Sequence, residues 1–562
     1  MNRIIECVPN FSEGRDMRII DQIVAAITTV EGVKLLNIDP GKATNRTVVT
    51  FAGDPNAVVE AAFQGAKKAA ELIDMRKHNG EHPRFGATDV LPLIPVAGIT
   101  MSETVEYARS LGKRIGEELG ISVYSYGEAA FQPKRKELSY CRAGEYEGLA
   151  AKLSTPEGKP DFGPDWLNAT AGATAVGARD FLIAYNVNLN TTSTRRANAI
   201  AFDVREKGRV KREGGSITGA IVKDEQGHPV MIPGSLKSVK AIGWYIEEFG
   251  IAQISMNLTN IGVTPLHVAF DEVCKKAGER GVRVTGSEIV GLVPLQSMLE
   301  TGRYFLRKQQ RSVGVTDKEL IKIAVKSLGL DDLYQFNPDE KIIEYVLSGH
   351  QTGKLAGMTV QEFADETASE SPAPGGGSVS ACIAAMGVSL GTMVANLSSH
   401  KPGWDDRWEE FSDWAEKGMA LQKQLLALVD EDTMAFNKIM DAFKLPKSNE
   451  LEKQKRSAAI QVATRYAIEV PYHVMETALS AMEIVKAMAE TGNPNSVSDA
   501  GVGALALRSG VLGAWLNVQI NAGSLKDTVF KNEILENGKK IAGKASRLEG
   551  EILKIVQQKL EQ

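Results

Sequence analysis

Cysteine and histidine are both scarce in this chain of 562 residues, with four and seven copies respectively. Cys7, Cys141, Cys274 and Cys382 are scattered and form no CxxC pair. That spacing excludes a zinc ribbon or a disulfide-stapled scaffold and suits a reducing compartment. No metal site is expected. A basic excess is missing too, since the net charge is −5. This argues against a general nucleic-acid surface, although it leaves room for a local basic pocket that takes an acidic small molecule. The opening stretch, MNRIIECVPNFSEG, has no apolar core of the kind a secretory signal carries, so the cytoplasm is the expected location. One segment, Ala381 to Ser398, reaches about the minimum length for a membrane span. It is rich in Ala, Gly and Ser, contains Asn396, and has no basic or aromatic anchor at its start. Gly387, Gly391 and Ala395 recur every four residues, which lets a partner helix approach closely. A buried helix of a bundle is therefore expected there, not a membrane crossing.

Apolar residues at 43% and charged residues at 24% describe a globular protein. The length exceeds what one core supports, so three or four domains are expected. The first half alternates β-branched runs with amphipathic helices. RIIECVP, VKLLNID, RTVVTFAG and VLPLIPVAG read as strands, with helices at MRIIDQIVAAITTV and NAVVEAAFQGAKKAAELID. That is the β-α-β-β-α-β order of a split βαβ, ferredoxin-like unit. A helix, SETVEYARSLGKRIGEEL, and a strand, ISVYSYG, extend it. The order recurs from DFLIAYNVNL to VRVTGSEIVGLVP. Two α/β subdomains, 1–179 and 180–348, are expected. GHQTGKLAGMT then reads as a linker at 349–357. From 358 to 562 strand signals nearly vanish, and an all-α helical bundle follows.

The segment RKHNGEHPRFGATDVLP holds two of the seven histidines, His78 and His82, between glycines and beside Glu81, Arg84 and Asp89. Histidine is the default proton-transfer group near neutrality, and loops on rigid scaffolds often carry function. A solvent-facing loop with ordinary surface charges is the plainer alternative. A second polar cluster, NIDPGKATNRTV, holds Asp39, Asn45 and Arg46. Asp39 could orient an imidazole, although Asp-Pro-Gly is also a good turn by itself. In the second half, SESPAPGGGSVSACIAAMG runs a flexible loop into a helix, where free N–H groups favour an anion. It lacks the Gly-Lys-Ser/Thr ending of a nucleotide loop. Further on, Leu421, Leu425, Val429, Phe436 and Met440 form one helical stripe with Asp432 in its middle, while Asp430 and Glu431 point elsewhere. A carboxyl on a buried face is costly to ionise, which makes Asp432 an acid/base candidate. A water-pocket or capping role is the structural alternative.

The motifs ECVPNFSEGRD, TNRTVVTFAG, HNGEHPRFGATDVLPLIPV and RAGEYEGLAAKL resemble the formimidoyltransferase-cyclodeaminase family, in its order. AIGWYIEEFGIAQISMNL, SPAPGGGSVSACIAAMGVSLGTMV, LVDEDTMAF and GNPNSVSDAGVGALALRSGVLGAWLNVQIN continue the likeness. The resemblance implies a bifunctional folate enzyme of histidine degradation. Its first half would move the formimino group from N-formimino-L-glutamate to tetrahydrofolate. Its second half would cyclise 5-formiminotetrahydrofolate to 5,10-methenyltetrahydrofolate with loss of ammonia. The implied catalytic residues are His82 and Asp432. Asp39, Asn45, Arg46 and His78 stand at matching positions. The implied folate segments run Gly163–Gly172 (with Pro164) and Gly234–Gly243, where Lys237 and Lys240 offer cations to a carboxylate. Gly375, Gly376, Gly377, Ser378, Asp499, Asn517 and Asn521 are further candidates for the cyclodeaminase site. REGGSITGAIVKDEQGHPVMIPG looks like an extra hairpin relative to the animal form. The implied cosubstrate is a polyglutamylated tetrahydrofolate without a metal, in a homo-oligomer that uses neither nucleic acid nor membrane. A formyl donor in place of formimino remains an open alternative.

Overall fold

The structure is a computed structural model and describes residues 3–41, 45–80, 84–215, 219–348 and 354–561. It divides into two compact units, Met1–Met298 with Leu328–Gly349, and Leu299–Ser327 with His350–Gln562.

Among the described residues, the first unit contains two main sheets and a two-stranded ribbon. In the larger, β1 (Ile4–Cys7), β3 (Val33–Gly41), β4 (Arg46–Gly53) and β5 (Thr88–Ala97) lie in the order β3-β4-β1-β5, all antiparallel. β2 (Asn10–Phe11) resumes the line of β1 beyond Pro9 and also pairs with β4 and β5. This is the split βαβ arrangement, and β6 (Ser122–Gly127) and β7 (Ala173–Ala178) widen it as a parallel extension, β5-β7-β6. β7 was not foreseen from the sequence, because Ala-Thr-Ala-Val-Gly-Ala has little β-branched character. Its location between two parallel strands supplies the pairing that its own propensity does not.

Helices α1 (Met17–Thr28), α2 (Pro55–Leu72) and α3 (Met101–Leu119) cover one face of this sheet. Each begins at a side-chain cap: Asp16, Asp54 followed by Pro55, and Thr100 in a capping box with Glu103. Such caps satisfy N–H groups that the first turn leaves unpaired. Ile20, Ile23 and Ile27 of α1 are fully buried, each worth about 2 kcal/mol of transfer free energy. Ile5 and Cys7 join the same core, so strand alternation turns Glu6 to the other face. On that face Tyr124, Ala173 and Ala175 pack with α4 (Glu145–Leu153).

The second sheet has β8 (Ile183–Leu189), β11 (Val239–Ile246), β12 (Ile251–Leu258) and β13 (Val284–Val290) in the order β11-β12-β8-β13, again antiparallel. Helices α5 (Thr194–Val204) and α6 (Leu266–Gly278) pack against it. The two-stranded ribbon β9 (Arg209–Val210) and β10 (Met231–Ile232) closes the base of the hairpin expected over 212–234.

The second unit is helical. Part of α7 (Leu295–Lys308) and most of α8 (Asp317–Leu328) pack with it, so Leu299–Ser327 folds apart from the rest of 180–348. Val313 N–H donates to Ser412 Oγ at 3.0 Å, and Asn396 Nδ2 donates to the Gly314 carbonyl at 2.8 Å. The bundle proper is α9 (Gly376–Ser399), α10 (Trp408–Lys444), α11 (Glu450–Thr491), α12 (Val497–Ala522) and α13 (Thr528–Leu560). Two described helical stretches, Gly376–Ser399 and Pro494–Ala522, are long and apolar enough to cross a membrane. In α9, 61% of that apolar window is buried in the bundle, against α10, α11 and α12. A Cβ at Gly387 would lie 2.9 Å from the Gly503 carbonyl, and one at Gly391 would lie 2.9 Å from Val485. The four-residue glycine spacing is thus used for close helix contact. The stripe expected on α10 holds at Leu425 and Val429, which are buried, but Met440 is 42% exposed. Ala435 and Ala442 are the buried positions there, because the contact face drifts around a helix of 37 residues.

Candidate functional site

In the first unit, the turn leading into β4 and the loop before β5 are tied together by Asn45. Its side chain accepts from Gly14 N–H at 3.1 Å and donates to the Asn79 carbonyl at 2.9 Å. Its own carbonyl lies 2.8 Å from His78 Nε2. Asn45 holds φ = 48°, a left-handed conformation that asparagine tolerates better than most residues. The other ring nitrogen of His78, Nδ1, is 3.2 Å from Arg84 Nε. These partners assign a neutral imidazole that donates through Nε2 and accepts through Nδ1. Burial, with the Arg84 guanidinium as a smaller cause, holds the His78 pKa below its usual value. Arg84 is itself buried and grips Glu147 through both Nη atoms, at 2.9 and 2.7 Å. With both nitrogens engaged, His78 shapes the loop and is not free to shuttle protons. Glu81, His82 and Pro83 lie outside the described residues, between segments that these contacts hold on both sides.

Below the loop, Asp89 is fully buried and accepts from Phe85 N–H at 3.1 Å and from Arg142 Nη2 at 2.6 Å. Burial pushes its pKa up, against the pull of Arg142 and Arg46. Arg46 sits in the electrostatic field of Asp89, Arg142 and Asp39. The Nε atoms of Arg46 and Arg142 are both buried and have no hydrogen-bond partner among the described residues. Two such donors beside one buried carboxylate can donate to an anionic group. Asp39 is exposed at the end of β3. Sequence reasoning assigned no role to Arg142, which stands 96 positions after Arg46 at the end of a four-residue helix with no periodicity to mark it. It also missed Glu6, a buried carboxyl whose pKa burial raises to about 7 despite the nearby Arg179.

The two glycine-bounded segments answer backbone demands. Gly172 has φ = 69°, and a Cβ there would lie 2.3 Å from the Phe85 carbonyl, where Gly86 bridges to it. Gly163 packs equally close to the Ile121 carbonyl, and the Pro164 carbonyl accepts from Ser122 Oγ at 2.7 Å. Gly234 abuts the Arg205 carbonyl, and Gly243 exchanges two hydrogen bonds with the Asn198 side chain. Lys237 Nζ stands 3.9 Å from Glu206. Lys240 is exposed, on the face of β11 opposite to Val239, Ala241 and Gly243, which are buried on the α5 side.

In the helical unit, the first turn of α9 is built around Asp432. Gly375 is the N-cap, and Asp432 Oδ2 accepts from Ser378 N–H at 2.9 Å and from Ser378 Oγ at 3.1 Å. A helix N-terminus carries partial positive charge and stabilises a carboxylate. Desolvation outweighs this, and the Asp432 pKa is raised, with the two Ser378 hydrogen bonds opposing. A Cβ at Gly377 would lie 2.1 Å from Asp432 Oδ1, so only glycine permits this approach. Asn517 faces the same turn, 3.1 Å from where a Gly376 Cβ would sit. The neighbours of Asp432 do point elsewhere: Asp430 accepts from Leu355 and Ala356 N–H groups, and Glu431 accepts from Tyr466 Oη at 2.7 Å. Asn521 donates to the Ala467 carbonyl at 2.7 Å, an interhelix tie. Asp499 does not join this site. It lies 18 residues before Asn517 on the same helix, which at 1.5 Å per residue is about 27 Å away. Among the described residues no group of three His, Cys, Asp or Glu could hold a metal ion.

Three family models match this chain: "Formiminotransferase domain, N-terminal subdomain" over residues 4–179, "Formiminotransferase domain" over 184–348, and "Formiminotransferase-cyclodeaminase" over 359–540. The chain is 42% identical to the formimidoyltransferase-cyclodeaminase of Rattus norvegicus over 535 residues, covering 95% of both proteins. It is 44% identical to the glutamate formimidoyltransferase of Thermoplasma acidophilum over 306 residues, 54% of this chain and 92% of that protein. It is 35% identical to the methenyltetrahydrofolate cyclohydrolase of Methylorubrum extorquens over 202 residues, 36% of this chain and 97% of that protein.

Proposed function

The chain belongs to the formimidoyltransferase-cyclodeaminase family, and we propose that its two reactions are divided between the α/β unit and the helical unit. It is a bifunctional folate enzyme, a glutamate formimidoyltransferase and a formimidoyltetrahydrofolate cyclodeaminase, with tetrahydrofolate as cosubstrate.

In the first reaction N5 of tetrahydrofolate attacks the formimino carbon of N-formimino-L-glutamate. The new C–N5 bond replaces the bond to the glutamate nitrogen, N5 loses a proton, and the departing nitrogen gains one. We assign that transfer to His82, since the fully engaged ring of His78 leaves it without a free nitrogen. The unpartnered Nε atoms of Arg46 and Arg142 are assigned to a carboxylate of the donor. Lys240, on the open face of its sheet, is assigned to a folate carboxylate.

In the second reaction N10 attacks the formimino carbon already on N5, and the amine leaves as ammonia after protonation. The observation that carries this assignment is the placement of Asp432, desolvated yet hydrogen-bonded at the start of α9. A carboxyl with a raised pKa keeps its proton to higher pH and can deliver it to the leaving amine. The cyclohydrolase relative is named for chemistry at the same N5–N10 bridge, which supports placing this step in the helical half. The proposed cosubstrate is a polyglutamylated folate, and the proposed location is the cytoplasm, which the four free cysteines support. We also propose a homo-oligomer that acts without nucleic acid or membrane. The apolar side chains exposed on the bundle, among them Met386 at 52% and Ile520 at 75%, support a subunit contact.

The test supplies formiminoglutamate and tetrahydrofolate and follows methenyltetrahydrofolate absorbance. His82→Ala is expected to stop only the transfer, and Asp432→Ala only the cyclisation. Full rates in both variants would reject the assignments, and a faster reaction with a formyl donor would reassign the first substrate.

A further inference from the structure

Beside α5, the ribbon β9–β10 closes a cavity of about 570 Å³ that neither proposed site uses. That size is within the range of small-molecule pockets. Five cations line it, Arg195, Arg205, Lys207, Arg209 and Arg212, and no carboxylate does among the described residues. The concentration is local, for the whole chain has 65 basic against 70 acidic residues.

The cations are partly organised in advance. Arg205 Nε donates to the Gly208 carbonyl at 2.9 Å, and its guanidinium lies 3.8 Å over the Phe202 ring. Arg212 Nη1 donates to the Gly219 carbonyl at 2.9 Å, and Arg209 Nε stands 3.4 Å from Asp203. Arg195 and Lys207 have no hydrogen-bond or ion-pair partner among the described residues. Apart from Asn198, whose side chain is engaged with Gly243, the remaining wall is apolar, and its residues Met231 and Ile232 are 42% and 37% exposed. The cavity lies on the α5 side of β11, whereas Lys240 and Trp244 are exposed on the opposite side of that strand. A folate held by Lys240 would therefore leave this cavity open.

We propose that the cavity binds a small organic polyanion that has two or more phosphate or carboxylate groups and an aromatic or apolar body. The guanidinium forks match planar anionic groups, and clustered cations of one sign in a concave site raise the local concentration of an anion. A bare inorganic anion would leave the Met231 and Ile232 wall in contact with water, whereas an apolar body covers it.

Calorimetric titration of the full-length enzyme tests this, with the folate site filled by monoglutamyl 5-formyltetrahydrofolate. One arm uses ATP and the other p-aminobenzoyl-tetraglutamate, which separates a phosphate source from a carboxylate source. The expected result is saturation by at least one probe at one site per chain. The double substitution Arg195→Glu and Lys207→Glu should weaken that binding at least tenfold while leaving the transfer rate with monoglutamyl tetrahydrofolate unchanged. Saturation by neither probe overturns the proposal, as does unaltered binding in the double variant. Tighter binding of a single-stranded oligonucleotide than of either probe also overturns it, in favour of a nucleic-acid surface.

Discussion

Replacing Gly377 by alanine should disable cyclisation without touching the transferase. The new methyl would lie 2.1 Å from Asp432 Oδ1 and 2.5 Å from its Cγ. Restoring a normal contact requires a displacement of about 1 Å. Asp432 is short and held by both the N–H and the hydroxyl of Ser378, so it cannot move that far and keep both bonds. A reacting group misplaced by about 1 Å loses roughly 100-fold in rate, about 2.7 kcal/mol of barrier. Stability should fall as well. Forcing the methyl into this packed turn costs about 1–3 kcal/mol and losing a Ser378 hydrogen bond about 0.5–1.5 kcal/mol more, which together outweigh the ~1 kcal/mol that alanine gains over glycine inside a helix. The neighbouring glycines grade the effect. A Cβ at Gly376 meets Asn517 at 3.1 Å, and one at Gly375 meets nothing nearer than 4.0 Å. The expected order of remaining activity is Gly375→Ala, then Gly376→Ala, then Gly377→Ala. Each is assayed on supplied 5-formiminotetrahydrofolate, with the transfer half-reaction and thermal unfolding measured alongside. Cyclisation within threefold of the parent, or a more stable Gly377→Ala protein, would refute the placement of Asp432 against this turn.

His78→Ala should lower the transfer rate tenfold or more through loop misplacement, yet less than His82→Ala, which removes a proton-transfer group worth about 10²–10⁴. Because the role of His78 is positional, the pH at which the transfer rate changes should stay where it is in the parent, as rate profiles will show. Glu6 predicts a stability effect with a definite sign. Its folded pKa of about 7 exceeds the ordinary 4.5, so the native state binds more protons between those values and loses stability as pH rises. Relative to Glu6→Gln, the parent should lose about 3 kcal/mol between pH 4.5 and 7, as urea midpoints at several pH values would reveal. A flat difference between the two proteins would contradict the burial of an ionisable Glu6. Gly172→Ala should cost more than ~1 kcal/mol, because φ = 69° and the Phe85 carbonyl both oppose a side chain. The loss should affect transfer and spare cyclisation.

Most of the element order was legible from the chain, because helix and strand periods of buried residues differ and caps such as Thr100–Glu103 are local signals. Asp432 was legible for the same reason, as a carboxyl on an apolar stripe. Local patterning sets two architectures joined in one chain, the β-α-β-β-α-β succession of elements in each split unit, and the residue types available for proton transfer. What those residues do depends on how the chain packs. β7 exists because two parallel strands hold it, and Leu299–Ser327 folds with the helices although it sits among residues of the other half. From the sequence, Asp432 was an acid/base candidate and His78 a polar neighbour of the candidate His82. The packed structure gives His78 two hydrogen-bond partners and leaves Asp432 desolvated at a helix start. Arg46 and Arg142, far apart in the chain, come together beside Asp89, while Asp499 and Asn517, on one helix, are held apart by its length. Local sequence encodes period and propensity. Proximity between distant side chains, and the loss of water around them, arises only when the chain is packed.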